Sequence, residues 1–192
     1  MPTTDDDPKG AVLLALARAA IARELGLARR ADDRAPWLRE PGASFVTLTR
    51  QGELRGCIGS LEAHRHLLAD VRENAVAAAF HDPRFEPLTL RELEQTQVEV
   101  SLLSPLEDLS LASEADALTQ LRPGTDGVVL RYGMRRGTFL PQVWDQLPDT
   151  RQFLAHLKRK AGLPSDFWHA EVRLQRYTVS KWRESEGTLE VG

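Results

Sequence analysis

The chain has 192 residues, one domain's worth by length or one domain with a satellite lobe, and its 42% hydrophobic and 28% charged residues exclude wholesale disorder. A single cysteine excludes an intrachain disulfide and a cysteine-rich zinc module, and fits a reducing compartment. Net charge is −3, all of it carried by the acidic ends, so the neutral body lacks the phosphate-neutralising excess of a dedicated nucleic-acid binder.

Residues 1–8 are short, acidic and bounded by Pro8, a composition expected of a tail. The longest apolar run, Ala11 to Ala17, has seven residues, against the roughly 20 of a membrane span. Asp5, Asp6 and Asp7 stand where a signal peptide carries positive charge, so a cytoplasmic location is expected. From Lys9, the stripe Val12, Leu13, Leu16, Ala19 and Ala20 predicts a helix. After a polar loop over 31–42, Phe45 to Thr49 and Glu53 to Ile58 predict a hairpin turning at Gln51-Gly52. A helix over about 67–80 follows, closed by Asp82-Pro83, and Thr89 to Glu92 matches a capping box. Val98 to Leu102 alternates as a strand, and 115–121 reads as a modest helix. Strands over 128–131 and 135–140 flank Gly133; Asp149 to Gln152 then caps a helix with Phe153, Leu154, Leu157 and Ala161 inward. Glu171 to Ser180 predicts a final strand.

The second half thus repeats the first. Arg55-Gly56-Cys57-Ile58 falls on Arg136-Gly137-Thr138-Phe139, each reached from a strand through a glycine turn. The fold class read from this is α+β. Two related hairpin–helix–strand repeats, about 44–104 and 126–180, would share one largely antiparallel sheet flanked by helices, in one domain over 9–182. Residues 183–192 read as a second tail.

Leu54-Arg55-Gly56-Cys57-Ile58-Gly59 is the stretch richest in chemistry. Strand alternation sends Leu54 and Ile58 to the core and Arg55 and Cys57 to the opposite face, with Gly59 leaving space beside them. A neighbouring guanidinium favours thiolate and lowers a thiol's pKa. Free cysteine is mostly a small buried hydrophobe, so three roles stay open for Cys57: inert packing, lining a site, or nucleophile. Glu62 is one candidate base near it, but nothing selects it over other acids. Cys57, His64 and His66 would make three zinc ligands, yet the histidines sit at a loop-to-helix junction and no HExxH or paired CxxC occurs; no metal is expected. There is no P-loop and no GxGxxG, and the formal GxxG of Gly56 to Gly59 lies in or beside a strand rather than between helices. An anion site around Arg55, aided by Arg84 or Arg136, stands against the alternative of solvated surface charges. Asp82 and Arg84, flanking Pro83, read either as a rigid turn with local pairing or as a cleft-mouth arginine. Trp144, Trp168 and Trp182 are expected to pack.

LRGCIG, the stretch Asp70 to Phe85 (DVRENAVAAAFHDPRF), TFLPQVWDQLP and FLAHLKRKAGLP together resemble the AMMECR domain family, whose prokaryotic members are called AmmeMemoRadiSam system protein A. The resemblance covers about Ala11 to Trp182. It implies two related β-α-β repeats in a single antiparallel sheet, with a cleft beside a smaller lobe. By position it singles out Arg55, Gly56, Cys57 and Gly59, the segment Asp82 to Phe85, and Gln142. His66 and His81 depart from the family pattern, which expects proline and a basic residue there. The family name implies genomic association with a Memo-type, dioxygenase-like protein and a radical SAM protein, hence a modification pathway, and leaves cofactors unassigned. The preferred expectation is a binding or adaptor component acting with those partners through a cleft lined by Arg55 and Cys57, because no nucleophile–base pair can be named. The alternative is a thiol-dependent enzyme in which Arg55 orients an anionic small-molecule, protein or RNA substrate at Cys57. A nucleic-acid accessory role ranks last on charge.

Overall fold

Asp7 sets the start of the first helix. Its carboxylate accepts the Lys9 N–H at 2.9 Å and Pro8 fills the first helical position, so α1 runs Pro8–Glu24. The computed structural model describes residues 7–185. A 3-10 turn, Pro36–Arg39, leads into β1 (Pro41–Arg50), β2 (Glu53–Gly59) and β3 (Arg65–His66). Next come α2 (Leu67–Phe80), α3 (Leu90–Leu93), β4 (Thr96–Leu103), β5 (Glu107–Asp108) and α4 (Glu114–Gln120). The chain continues through β6 (Gly127–Tyr132), β7 (Arg135–Phe139), a 3-10 turn Pro141–Asp145, α5 (Thr150–Lys160), β8 (Arg173–Tyr177) and β9 (Val179–Arg183).

These elements form two compact units, the first taking the chain up to Leu103 and again from Ser180, the second Ser104–Val179. In the first, the sheet order is β2-β1-β4-β9, with β3 paired to the start of β1. Alternate residues Val46 and Leu48 of β1 and Val98 and Val100 of β4 meet Leu13, Leu16 and Ile21 of α1 and Val71, Ala75 and Ala78 of α2. Arg18 is buried in this layer. It pairs with Glu184 and gives its remaining donors to the carbonyls of Leu93 and Thr96. The buried Asp70 ties α2 to β1 by accepting from Ser44 N–H, Ser44 Oγ and Asn74, and from Ser60 and Arg65 on its other oxygen.

In the second unit the order is β5-β8-β6-β7, and Val128, Leu130 and Leu174 face Phe153, Leu154 and Leu157 of α5. Trp144 stacks on Phe153 with ring centroids 3.6 Å apart, Trp168 packs against the same core, and Trp182 belongs to the core of the first unit. All three tryptophans therefore pack, as the sequence led one to expect.

The α+β class and antiparallel pairing hold, but the strands lie in two sheets rather than one. The expected final strand is likewise two strands in different sheets. Ser104 and Thr178 exchange hydrogen bonds at the change-over, through Ser104 N–H to Thr178 O and Thr178 N–H to Ser104 Oγ. Alternation persists across such a point because it reports side-chain sidedness and not the identity of the neighbouring strand. Both sheets share a local order, β2-β1-β4 and β7-β6-β8, each a hairpin followed by a helix and a third strand beside the hairpin's first. Of the expected tails, Asp7, Pro8 and Arg183 belong to elements at the ends of the described residues; residues 1–6 and 186–192 lie outside them.

Candidate functional site

The β1–β2 hairpin turns at Gln51 and Gly52, both with positive φ (52° and 80°), the conformation a two-residue turn requires. Its register carries a bulge: Leu48 lies opposite Gly56 and Thr49 opposite Leu54, which leaves Arg55 as the extra residue. The bulge reverses the expected sidedness of Leu54. Leu54 is opposite Thr49, on the face of Thr47 and Cys57, and is 43% exposed rather than in the core. Ile58 packs against the core as expected. Gly56 lies under α2, where a Cβ would fall on the Ala78 carbonyl oxygen. The space expected beside Gly59 is filled by the Phe45 ring and the Ser44 carbonyl, so Gly59 makes room for its own neighbours and not for a ligand.

Arg55 is docked rather than free. Its Nε and Nη2 donate to the Glu92 carboxylate at 3.1 and 3.2 Å, and Nη2 also reaches the Glu86 carbonyl at 2.8 Å. Glu92 closes the capping box with Thr89 and takes Arg50 Nη1 at 2.8 Å. The Arg55 hydrogen bond, followed by those from Thr89, holds the Glu92 carboxyl down to about 2 against the opposing effect of burial. Arg55 Nη1 is buried without a hydrogen-bond partner.

Cys57 lies on the edge strand of its sheet, and the turn after α2 covers that edge. The Cys57 N–H donates to Asp82 Oδ2 at 2.9 Å, while Arg84 Nη2 reaches the Cys57 carbonyl at 3.4 Å. Asp82 also accepts the Arg84 N–H and grips its guanidinium through Nε and Nη2. That guanidinium, with the Cys57 and Arg84 N–H groups, holds the Asp82 carboxyl well below the usual carboxylate range, and Arg84 is raised in return. The rigid-turn reading of Asp82-Pro83-Arg84 therefore describes this segment, although Arg84 keeps 54% of its side chain exposed. The Phe85 ring has the guanidinium carbons of both Arg55 and Arg84 near it, at 5.7 and 5.5 Å from its centroid.

The Cys57 sulfur meets Thr47 Oγ1 at 3.2 Å. Thr47 is opposite Cys57 on one side and Glu99 on the other, so thiol, hydroxyl and carboxylate form one row across β2, β1 and β4, on the face away from α1 and α2. Glu99 is 6% exposed and is held by Arg183 at 2.6 Å and Lys181 at 3.4 Å. Sequence reasoning missed Thr47 and Glu99. The signal was present in the alternation of Val98-Glu99-Val100, which puts a carboxylate on the outward face of a strand with neighbours on both sides.

Of the other residues singled out, Gln142 is exposed on the 3-10 turn of the second unit. His64 pairs with Glu62 at 3.0 Å on the surface, and His66 is the residue before α2. Among the described residues, no group of three or more His, Cys, Asp or Glu is arranged to hold a metal ion, and no helix is long and apolar enough to cross a membrane. A recess of about 570 Å³ lies between α1 and α2, lined by Arg23, Arg72, Glu73 and His81 among others, and not by Arg55 or Cys57.

A sequence model of the AMMECR1 family matches residues 14–182. A protein of Methanothermobacter thermautotrophicus is 39% identical over 92% of this chain and 94% of its own length. One of Thermofilum pendens is 38% identical over 92% and 90%. The crystal structure of the uncharacterized protein PH0010 from Pyrococcus horikoshii superposes with a TM-score of 0.74 at 34% identity, covering 94% of this chain and 93% of that one.

Proposed function

The chain belongs to the AMMECR1 family, and from that premise we propose that it is a binding or adaptor component, acting with Memo-type and radical SAM proteins in a modification pathway. One observation carries this reading: apart from Arg55 Nη1, the polar groups around Cys57 are already paired with one another. Its N–H and carbonyl are taken by Asp82 and Arg84, its sulfur meets a threonine hydroxyl, and the Arg55 guanidinium is held by Glu92. A thiol nucleophile calls for a base within hydrogen-bond reach, and threonine is not one. Such a pre-satisfied edge is better suited to presenting a fixed surface, on which half-exposed Arg84 and exposed Leu54 are the available contacts. The test is co-purification with the neighbouring Memo-type and radical SAM proteins. The reading expects retention of one or both, weakened by Arg84→Glu and Leu54→Asp; failure to retain either partner overturns it.

The row Cys57–Thr47–Glu99 supports a second reading, a thiol-dependent enzyme acting on an anionic substrate, with Glu99 as proton acceptor through Thr47. It expects fast alkylation of Cys57 near neutral pH, slowed by Glu99→Gln. An inert thiol in the folded protein removes this reading and leaves the first intact.

A further inference from the structure

The outward face of the first sheet carries a buried hydroxyl that neither reading above uses, beside a carboxylate that is only half engaged. Val98 and Val100 of β4 point into the core, so Glu99 and Ser101 leave the other face. Both are more than nine-tenths buried, at 6% and 8% exposure. Oε2 of Glu99 takes the Arg183 guanidinium, whereas Oε1 accepts no hydrogen bond among the described residues and has the Lys181 ammonium 3.4 Å away. The Ser101 hydroxyl has no hydrogen-bond partner among the described residues. A buried hydroxyl left without a partner costs stability, so packing alone gives no reason for a serine here. Phe45 stands opposite Ser101 on one side and Gly59 on the other, and its ring lies over Gly59, away from Ser101. The second sheet fills the same position differently. Gly56 and Gly137 each lie beneath a helix, and counting along the ladders from them sets Tyr177 of β8 where β4 has Ser101. Tyr177 lays its ring over Gly127 and donates its hydroxyl to the Phe139 carbonyl at 3.1 Å. At Ser101 the same frame offers an unspent hydroxyl in place of a ring.

We propose that Glu99 and Ser101 form a binding site for the vicinal diol of a sugar ring, free or in a nucleoside. Charge selects a neutral ligand. Lys181 and Arg183 beside Glu99 oppose a bound cation, and the buried carboxylate opposes a bound anion. Hydrogen-bonding capacity then selects hydroxyls. Glu99 Oε1 calls for a donor and the Ser101 hydroxyl takes either role; of two adjacent hydroxyls, one donates to the carboxylate and the other exchanges a hydrogen bond with the serine. A carboxylate accepting from a ribose hydroxyl is also how dinucleotide-binding folds hold that sugar. Positions 99 and 101 are roughly 7 Å apart along the strand, a span that one sugar ring bridges. The site adjoins the row Cys57–Thr47–Glu99 yet needs no reactive thiol, so an inert Cys57 leaves it standing.

The experiment is saturation-transfer NMR and calorimetric titration of the full chain with D-ribose, D-glucose, adenosine and dideoxyadenosine, which lacks the diol. The expected result is saturable binding of a diol-bearing probe and none of dideoxyadenosine. Binding of ribose and adenosine without glucose marks the ribose of a nucleoside, and binding of glucose as well marks sugar rings in general. Ser101→Ala should weaken binding about three- to tenfold. It should also keep the ligand-free thermal midpoint at or above that of the parent, because the hydroxyl it removes has no partner to lose, which separates lost binding from lost folding. Ser101→Tyr, which imports the residue of the second sheet, should abolish binding, while Arg173→Thr, on the second sheet, leaves it unchanged. The proposal is overturned by the absence of saturable binding of any diol-bearing probe at tens of millimolar. It is equally overturned by dideoxyadenosine binding as tightly as adenosine, or by binding indifferent to Ser101→Ala.

Discussion

Gly56 decides how closely α2 can lie on the hairpin. A methyl group there would occupy the position of the Ala78 carbonyl oxygen, which is backbone and cannot turn aside. Gly56→Ala should therefore push α2 off the sheet and cost about 1–3 kcal/mol or more, read as a lower urea midpoint. The mirror position, Gly137, is less crowded, with a Cβ 2.9 Å from the nitrogen of Ala161 just after α5 and 3.1 Å from the Leu157 carbonyl oxygen, and should respond in the same direction but less. Glu92 is the second residue with a measurable signature. Its folded-state pKa lies below its unfolded one, so its contribution to stability is complete above the ordinary glutamate range and is lost as pH falls from about 4.5 towards 2. Glu92→Gln should flatten the pH dependence of the unfolding midpoint across that window, and a variant with the parent's slope would contradict the assignment of Glu92 as the anchor of Arg55 and Arg50.

At the level of the element, the turn after α2 is a clasp on the edge of β2. Asp82→Ala removes the acceptor of the Cys57 N–H and the partner of Arg84, at a cost of about 1–3 kcal/mol. Amide exchange at Cys57 should accelerate in that variant while exchange at Val46, inside the sheet, stays slow. The helices, the hairpins and the caps at Thr89 and Asp149 were legible in the sequence because periodicity and capping chemistry are local. The bulge at Leu48/Thr49 was not: one extra residue leaves no compositional mark, yet it turned Leu54 outward and sent Arg55 to Glu92. The clasp was half legible, since Asp82-Pro83 announced a turn without saying which strand it would cover. Thr47 and Glu99 escaped because the row they make with Cys57 is assembled from three strands, and pairing partners are not written in any one of them.

For the whole molecule, the decisive fact is that the second unit is inserted between β4 and β9 of the first. The C-terminal strand matters to the first core. Trp182 packs where a Cβ on Gly10 would sit, and Glu184 is the carboxylate of buried Arg18. Truncation after Val179 should leave that arginine buried without its counter-charge and destabilise the first unit by about 3–5 kcal/mol, seen as loss of its cooperative transition. Ser104 N–H bonds to Thr178 O where the inserted passage begins and ends, and Glu184 N–H bonds to Val98 O within the first sheet. The inserted passage therefore enters and leaves through a doorway one hydrogen bond wide. Joining Leu103 to Val179 through an Asn-Gly turn should restore an ordinary hairpin, with cooperative unfolding of the shortened chain as the measure of success. On that geometry the passage is an exchangeable cassette: a different module could be grafted at the same doorway without re-threading the host.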